Sequence, residues 1–235
     1  MNKVFIITGA ADGIGRACAV ALDNMFPDSV FGLVDIQESK LSSSVALLKN
    51  TSTVEKILCD VADFDSINEK LSQFLSPYKR LDAIINSAGY IEPYSIEHTP
   101  MDLWNRTFNV NIHAVFNLTK LAIPYLEKVQ GRLVNIASTS ASSPRPGWTA
   151  YAASKASLLN FSLSAAQELA PKGIKVYNIS PGRCATVLRK RQAPNEDPNS
   201  IMQPETVGEF VADLMSEKGD HLHGQDLIIR RHIRL

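Results

Sequence analysis

Short apolar segments alternate with amphipathic segments along the whole chain. The apolar segments are nearly continuous and rich in β-branched residues, which is typical of strands buried on both faces of a sheet. They predict strands at 4–8, 30–35, 54–59, 83–86, 132–138, 175–180 and 226–230. Helical periodicity predicts helices near 14–25, 38–49, 64–75, 101–128, 151–170 and 204–217.

This alternation predicts an α/β fold with a doubly wound parallel sheet of about seven strands and helices on both faces. No break in the alternation marks a second domain, so residues 1–235 are predicted to form one domain. Two stretches, 139–149 and 187–203, are predicted to be irregular. Ligands bind outside the carboxyl ends of strands in open α/β sheets, and such loops gather there.

Composition narrows the class of protein. Lys and Arg number 24, as do Asp and Glu, so no electrostatic footprint for nucleic acid or an anionic membrane is expected. No apolar run approaches the ~20 residues that span a bilayer, and the N-terminus is interpreted as a first strand rather than a signal peptide. Cys18, Cys59 and Cys184 are widely spaced, which indicates buried thiols in a cytoplasmic protein and no metal site.

A glycine-rich turn follows the first predicted strand and opens the first helix. Gly9, Gly13 and Gly15 let the backbone turn tightly, with Asp12 and Ile14 between them. The amides and dipole of a helix N-terminus favour an anion, so the turn predicts a pyrophosphate site.

Asp35 closes the second predicted strand, twenty residues after Gly15. A carboxylate there can accept hydrogen bonds from ribose hydroxyls and would repel a 2′-phosphate. Asp12 adds negative charge with no evident compensating cation, and residues 36–38 contain no Arg or Lys. The pattern therefore favours NAD over NADP as the cofactor. The alternative to a ribose-binding role for Asp35 is that of a turn residue or helix cap.

Tyr151 and Lys155 are four residues apart in a predicted helix, on one face. A fixed cation lowers the pKa of a neighbouring phenol, so the pair is suited to proton transfer. Ser138, thirteen residues earlier, can hydrogen-bond a substrate oxygen, although Thr139 and Ser140 are competitors for that role.

These motifs, in this order, resemble the short-chain dehydrogenase/reductase family over nearly the whole chain. The resemblance implies a Rossmann-type sheet and adds Asn111 to the catalytic residues Ser138, Tyr151 and Lys155, with Asn111 holding a water that leads to Lys155. It also adds cofactor contacts after the third, fourth and sixth strands. The residues assigned to cofactor binding are Gly9, Asp12, Gly13, Ile14, Gly15, Asp35, Asp60, Val61, Asn86, Ala88, Gly89, Tyr151, Lys155, Pro181, Gly182 and Thr186.

The function implied is hydride transfer between NAD and a small carbonyl/alcohol substrate, with Tyr151 as general acid/base. Two alternatives are a catalytically silent NAD-binding sensor or scaffold and an epimerase or dehydratase that uses transient oxidation. The resemblance also implies a homodimer or homotetramer formed through helices near 101–128 and 151–170. The tail after Gly224-Gln225 lacks the family's paired glycines, which leaves the arrangement of a tetramer open.

The substrate pocket is less well defined by the sequence. Aromatic and Arg side chains on the predicted loops are typical of small-molecule pockets. The candidates are Tyr90, Tyr94, His98, Arg145, Trp148 and Arg183. Arg183, Arg189, Lys190 and Arg191 form a basic cluster, which is interpreted either as a site for a substrate anion or as a solvated helix face.

Overall fold

Seven parallel strands form one sheet in the computed structural model, which describes residues 2–50 and 53–231. The strand order is β3-β2-β1-β4-β5-β6-β7. The strands are β1 Val4–Thr8, β2 Val30–Asp35, β3 Thr53–Leu58, β4 Ala83–Asn86, β5 Arg132–Ile136, β6 Lys175–Pro181 and β7 Asp226–Ile229. The order reverses between β1 and β4, which opens a crevice at their carboxyl ends.

Helices cover both faces of the sheet, which confirms the predicted fold class. They are α1 Gly13–Met25, α2 Glu38–Val45, α3 Phe64–Leu75, α4 Met101–Phe108, α5 Ala114–Leu126, α6 Thr149–Leu169, α7 Val187–Gln192, α8 Pro204–Asp213 and α9 Glu217–Asp220. Successive residues of β1 point to opposite faces: Val4 and Ile6 pack with one apolar layer, Phe5 and Ile7 with the other. Burial on both faces is why the strands are continuously apolar.

Several predicted boundaries shift. The helix predicted over 101–128 contains a π-helical segment, Asn109–His113, between α4 and α5. The fifth strand ends at Ile136, so Ser138 lies two residues beyond it. Helix α7 occupies the start of the segment predicted to be irregular, because Thr186 caps it by accepting from the Arg189 amide.

The longest helix, α6, has 21 residues and buries Ser154 and Lys155 along with apolar side chains. In the described ranges 2–50 and 53–231, no helix has both the length and the apolar character needed to cross a membrane. Lys155 of α6 donates to the carbonyl of Ile136, the last residue of β5.

The packing of α8 on α1 depends on a glycine. A Cβ atom on Gly208 would lie 2.5 Å from the carbonyl group of Ala17. We expect Gly208→Ala to lower the free energy of unfolding by about 2–3 kcal/mol, because the helices must move apart. Urea unfolding measures this, with Glu209→Ala as the control on the exposed side of α8. Equal stability of the two variants would contradict the packing argument.

Candidate active site

The glycine-rich turn brings the loop after β1 against the loop after β4. Gly9 and Gly13 have φ angles of +65° and +51°, which L side chains rarely adopt. A Cβ on Gly9 would lie 2.9 Å from the backbone of Ala88, and one on Gly15 would lie 2.2 Å from the Gly9 carbonyl oxygen. The turn therefore leaves bare backbone facing the crevice, as a bound pyrophosphate requires.

Thr8 fastens the same two loops and is a residue that the sequence analysis missed. Its hydroxyl accepts hydrogen bonds from the amides of Ser87 and Ala88, both at 3.1 Å. Because β1 and β4 are neighbours, this contact sets the width of the crevice.

Asp35 has the turn role that the sequence analysis gave as its alternative. Its Oδ2 accepts from the Ala11 amide at 3.1 Å, and its Oδ1 accepts from the Gln37 amide at 3.0 Å. The half-buried side chain also lines the cleft described below. Each carboxylate oxygen has a further lone pair, so Asp35 can hold the turn and still accept from a ribose.

The expectation that Asp12 has no compensating cation is wrong. Asp12 caps α1 by accepting from the Gly13 amide at 2.6 Å. It also pairs with Arg16 at 3.0 Å and with Lys40 at 3.1 Å. Lys40 lies two residues past the segment 36–38 that follows Asp35, and it belongs to α2, which places it beside the turn. Asp12 therefore holds two cations at this end of the crevice.

Tyr151 and Lys155 lie on α6 and are 9% and 4% exposed. The Lys155 ammonium lies 5.8 Å from the centre of the Tyr151 ring and donates to the Ile136 carbonyl at 2.7 Å. Ser138 lies close enough to Tyr151 to lower the pKa of its phenol, which distinguishes Ser138 from its competitors Thr139 and Ser140.

The proton affinities differ from the sequence-based expectation. Burial raises the pKa of Tyr151 above its usual value, and the Ser138 side chain acts in the opposite direction. Burial lowers the pKa of Lys155 to about 8. Burial is the larger effect on Tyr151, which is therefore a neutral phenol that can donate a proton.

Asn111 lies in the π-helical segment and is fully buried. Its Oδ1 accepts from the Tyr90 amide at 2.8 Å, while its Nδ2 donates to the Tyr90 carbonyl and to the Ser154 hydroxyl, both at 2.9 Å. Ser154 in turn donates to the Tyr151 carbonyl at 2.8 Å. The Asn111 side chain thus joins the loop after β4 to the turn of α6 that carries Tyr151.

One cleft of about 420 Å³ runs along the carboxyl ends of the strands. The predicted site residues that line it are Gly9, Asp12, Gly13, Ile14, Asp35, Gly89, Ser138, Tyr151, Lys155, Pro181, Gly182 and Thr186. The predicted residues outside its lining are Gly15, Asp60, Val61, Asn86, Ala88 and Asn111.

The residues outside the lining hold neighbouring elements. Asp60 pairs with Arg106 at 2.7 Å and accepts from the Ala62 amide at 2.9 Å. Asn86 donates to Asn135 at 2.8 Å and so joins β4 to β5.

The lining fits a nicotinamide dinucleotide. Bare glycine backbone lies at a helix N-terminus, and a carboxylate suited to a ribose lies beside it. A phenol, a hydroxyl and an amine lie in the same cleft. The cleft can therefore place a redox-active ring beside a proton donor.

The candidate substrate residues divide into two groups. Tyr90, Arg145, Trp148 and Arg183 line the cleft, whereas Tyr94 and His98 do not. The His98 ring instead hydrogen-bonds the Ser95 hydroxyl at 2.8 Å on the surface.

Cys184 also lines the cleft, but its chemistry does not suit a nucleophile. Burial raises the pKa of its thiol to about 12. A thiolate is the reactive form of cysteine, so Cys184 is an inert wall residue.

Comparisons with known proteins agree with this geometry. The family model described as short chain dehydrogenase matches residues 3–197. The 3-oxoacyl-[acyl-carrier-protein] reductase FabG of Thermotoga maritima is 30% identical over 95% of this chain and 94% of its own length. The 2,3-dihydro-2,3-dihydroxybenzoate dehydrogenase of Escherichia coli is 26% identical over 95% of this chain and 93% of its own length. A structure of 4-hydroxyisoleucine dehydrogenase complexed with NADH superimposes with a TM-score of 0.85 at 26% identity, covering 97% of each chain.

The low pKa of Lys155 predicts how stability changes with pH. The pKa of Lys155 is about 8 in the folded protein, whereas the ordinary pKa of lysine is 10.5. Between these two pH values the unfolded chain binds a proton that the folded protein has lost, so the free energy of unfolding rises with pH. Below that window, burial of the ammonium destabilises the fold. We expect Lys155→Met to raise the free energy of unfolding at pH 7 by about 2–3 kcal/mol and the difference from wild type to shrink towards pH 10.

Denaturant unfolding of the cofactor-free protein at pH 7 and pH 10 measures both effects. Lys120→Met removes an exposed ammonium from α5 and is the control. A difference between Lys155→Met and wild type that is the same at both pH values would refute the assignment.

Proposed function

The chain belongs to the short-chain dehydrogenase/reductase family, NAD(P)-dependent oxidoreductases that act on CH–OH groups, and we propose that it transfers a hydride between NAD and a small carbonyl/alcohol substrate. One observation carries the proposal. Asp35 and the group Ser138, Tyr151 and Lys155 line the same cleft. A dinucleotide bound at Asp35 through its adenosine ribose can extend along that cleft to Tyr151.

Tyr151 is the general acid in the direction of reduction. The bound cofactor supplies the hydride, and the substrate oxygen then needs a proton. The raised pKa keeps the Tyr151 hydroxyl protonated, and that hydroxyl donates to the oxygen. In the oxidative direction the same oxygen atom accepts the proton of the alcohol.

Ser138 and Lys155 support that transfer. The Ser138 side chain lies beside Tyr151, so a substrate oxygen that meets the phenol can also meet Ser138. The Lys155 ammonium stabilises the phenolate that remains after proton donation. With a pKa of about 8, Lys155 can both hold and release a proton near neutral pH.

The acidic groups at the ribose end support a preference for NAD over NADP. Asp35 would repel a 2′-phosphate, and Arg16 and Lys40 are both already paired with Asp12. Both cations are therefore engaged rather than available to a phosphate. The relative 4-hydroxyisoleucine dehydrogenase has a structure complexed with NADH.

Self-association as a homodimer or homotetramer is part of the proposal. Phe116 on α5 is 57% exposed and packs edge-on against Phe161 of α6 at 6.4 Å. Leu159 and Leu163 lie half-buried on α6, whereas Leu158 belongs to the core. A second copy of the chain would cover this apolar surface.

We also propose that residues 1–235 form a single domain and that the protein is cytoplasmic. A sheet that contains both β1 and β7 supports the first point. Cys18, Cys59 and Cys184 are free and buried, which fits a reducing compartment.

Replacing the proposed acid tests the reaction. We expect Tyr151→Phe to lower kcat by about 10²–10⁴-fold, because the phenol proton is lost, while the Kd for NADH stays within about twofold. Initial rates of NADH oxidation across a panel of carbonyl compounds measure the first effect, and NADH fluorescence titration measures the second.

Tyr94→Phe is the matched control, because it removes the same hydroxyl from a residue outside the cleft lining. Equal rates for Tyr151→Phe and wild type would refute the assigned role. NADH binding without turnover in wild type would favour a sensor, and substrate conversion with no net change in NADH would favour an epimerase.

The cofactor preference has its own test. We expect Asp35→Asn to raise the ratio of kcat/KM for NADPH to that for NADH by about tenfold, because one charge of repulsion is lost. Adding Asp12→Asn releases Lys40 and Arg16 and raises the ratio further. Adding Lys40→Met to that double variant cancels part of this second gain. A ratio that Asp35→Asn leaves unchanged would show that Asp35 does not select the cofactor.

A further inference from the structure

Charge is unevenly distributed along the cleft. The carboxylates among its described lining residues, Asp12 and Asp35, both lie at the glycine-turn end. The same lining carries guanidinium groups, which belong to Arg106, Arg145, Arg183, Arg189 and Arg191. The lining therefore holds five guanidinium groups against two carboxylates.

Three of these guanidinium groups are already paired. Glu196 accepts from Arg189 Nε at 2.6 Å and Nη2 at 2.9 Å, and from Arg183 Nη1 at 3.0 Å. The Arg189 guanidinium holds the pKa of Glu196 below its usual range, so this carboxylate stays charged. Arg106 pairs with Asp60.

Arg145 and Arg191 differ from the other three. Within residues 2–50 and 53–231, neither side chain forms an ion pair or a hydrogen bond, and both are exposed at the mouth of the cleft. Glu196 supplies the one carboxylate in residues 183–196, against the four cations of the basic cluster. The excess positive charge of the basic cluster is therefore not neutralised by carboxylates of residues 183–196.

Trp148 joins the segment that carries Arg145 to helix α7, which carries Arg191. The Arg189 guanidinium lies over the Trp148 ring at 5.7 Å, and Arg191 is two residues further along α7. The Trp148 amide donates to the Arg145 carbonyl at 3.0 Å. Trp148 also packs edge-on against Tyr151 at 6.3 Å. Arg145 and Arg191 therefore lie on the two segments that meet at the aromatic residue in contact with the proposed acid, and both line the cleft.

We propose that the substrate carries an anionic group, a carboxylate or a phosphate, and that Arg145 and Arg191 bind it while the carbonyl meets Tyr151. The proposal rests on the proposed function and adds the substrate class. A guanidinium binds either anion through two parallel hydrogen bonds. Within the basic cluster, Arg183 and Arg189 are paired with Glu196, and Lys190 lies outside the lining of the cleft. Arg191 is therefore the member of the cluster that is left to bind an anion. Arg145 is the second unpaired arginine of the lining.

Matched ketones test the substrate class. The pairs are dihydroxyacetone with its phosphate, and 2-pentanone with 4-oxopentanoate, each reduced with NADH. We expect kcat/KM to be at least about tenfold higher for an anionic member than for its neutral partner. A preference confined to one pair identifies the anion as phosphate or carboxylate.

Charge-removing variants test the two arginines. We expect Arg145→Gln and Arg191→Gln each to lower kcat/KM for the anionic ketone by about tenfold, mainly through KM, with the neutral ketone unchanged. Arg191→Lys should keep part of the effect, because it keeps the charge without the bidentate geometry. Lys190→Gln is the matched control, since it removes one exposed charge from the same helix outside the cleft lining.

Three results would overturn the proposal. The first is an equal kcat/KM for the two members of both pairs. The second is an equal loss of kcat/KM for the anionic ketone in Arg191→Gln and Lys190→Gln. The third is weaker NADH binding in the arginine variants, which would assign the arginines to the cofactor phosphates. If no ketone is reduced, quenching of bound NADH fluorescence by dihydroxyacetone phosphate and 4-oxopentanoate decides. If an anion quenches the fluorescence and the arginine variants weaken that quenching, the anion site is supported even though the reductase activity has failed. If neither anion quenches the fluorescence, the anion site is rejected.

Discussion

The contact between Gly9 and the backbone of Ala88 is the constraint on which the rest of the cleft depends. Parallel strands direct their following loops to one edge, and the reversal of strand order sends the chain to opposite sides at β1 and β4. At that point the two loops approach so closely that a methyl group would not fit, and Thr8 ties them with two hydrogen bonds. This contact therefore fixes the distance between the two loops at the base of the crevice.

The second feature is a balance between desolvation and charge. Tyr151 and Lys155 are both buried, and burial favours the neutral form of each. The pKa of the phenol therefore rises, and the pKa of the amine falls to a value close to physiological pH. A proton donor and a titratable amine thus arise from one apolar environment on one helix.

The sequence predicted the features that depend on local pattern. The bounds of β1, β2 and β4 agree with the structure, because their apolar segments end at clear polar residues. The positions of Asp35 and Tyr151 followed from spacing within or just beyond one element. Contacts between distant segments could not be predicted in this way. Lys40 reaches Asp12 across 28 residues, and Arg189 meets Trp148 from another loop, so neither pairing has a signature in local sequence.

The π-helical segment Asn109–His113 has a consequence for the evolution of the chain. The Ala114 amide donates to the Asn109 carbonyl, one residue further back than in an α-helix, so the helix carries one extra residue at this point. The bulge absorbs that residue locally, so α4 and α5 keep their phase and Leu103 and Leu118 are both buried. Regular winding of the same residues would turn α4 by about 100° relative to α5. Deleting a residue would remove the bulge in which Asn111 meets the Tyr90 backbone. Length variation in this region should therefore be rare, and it should be tolerated more readily in the exposed segment around Ile96.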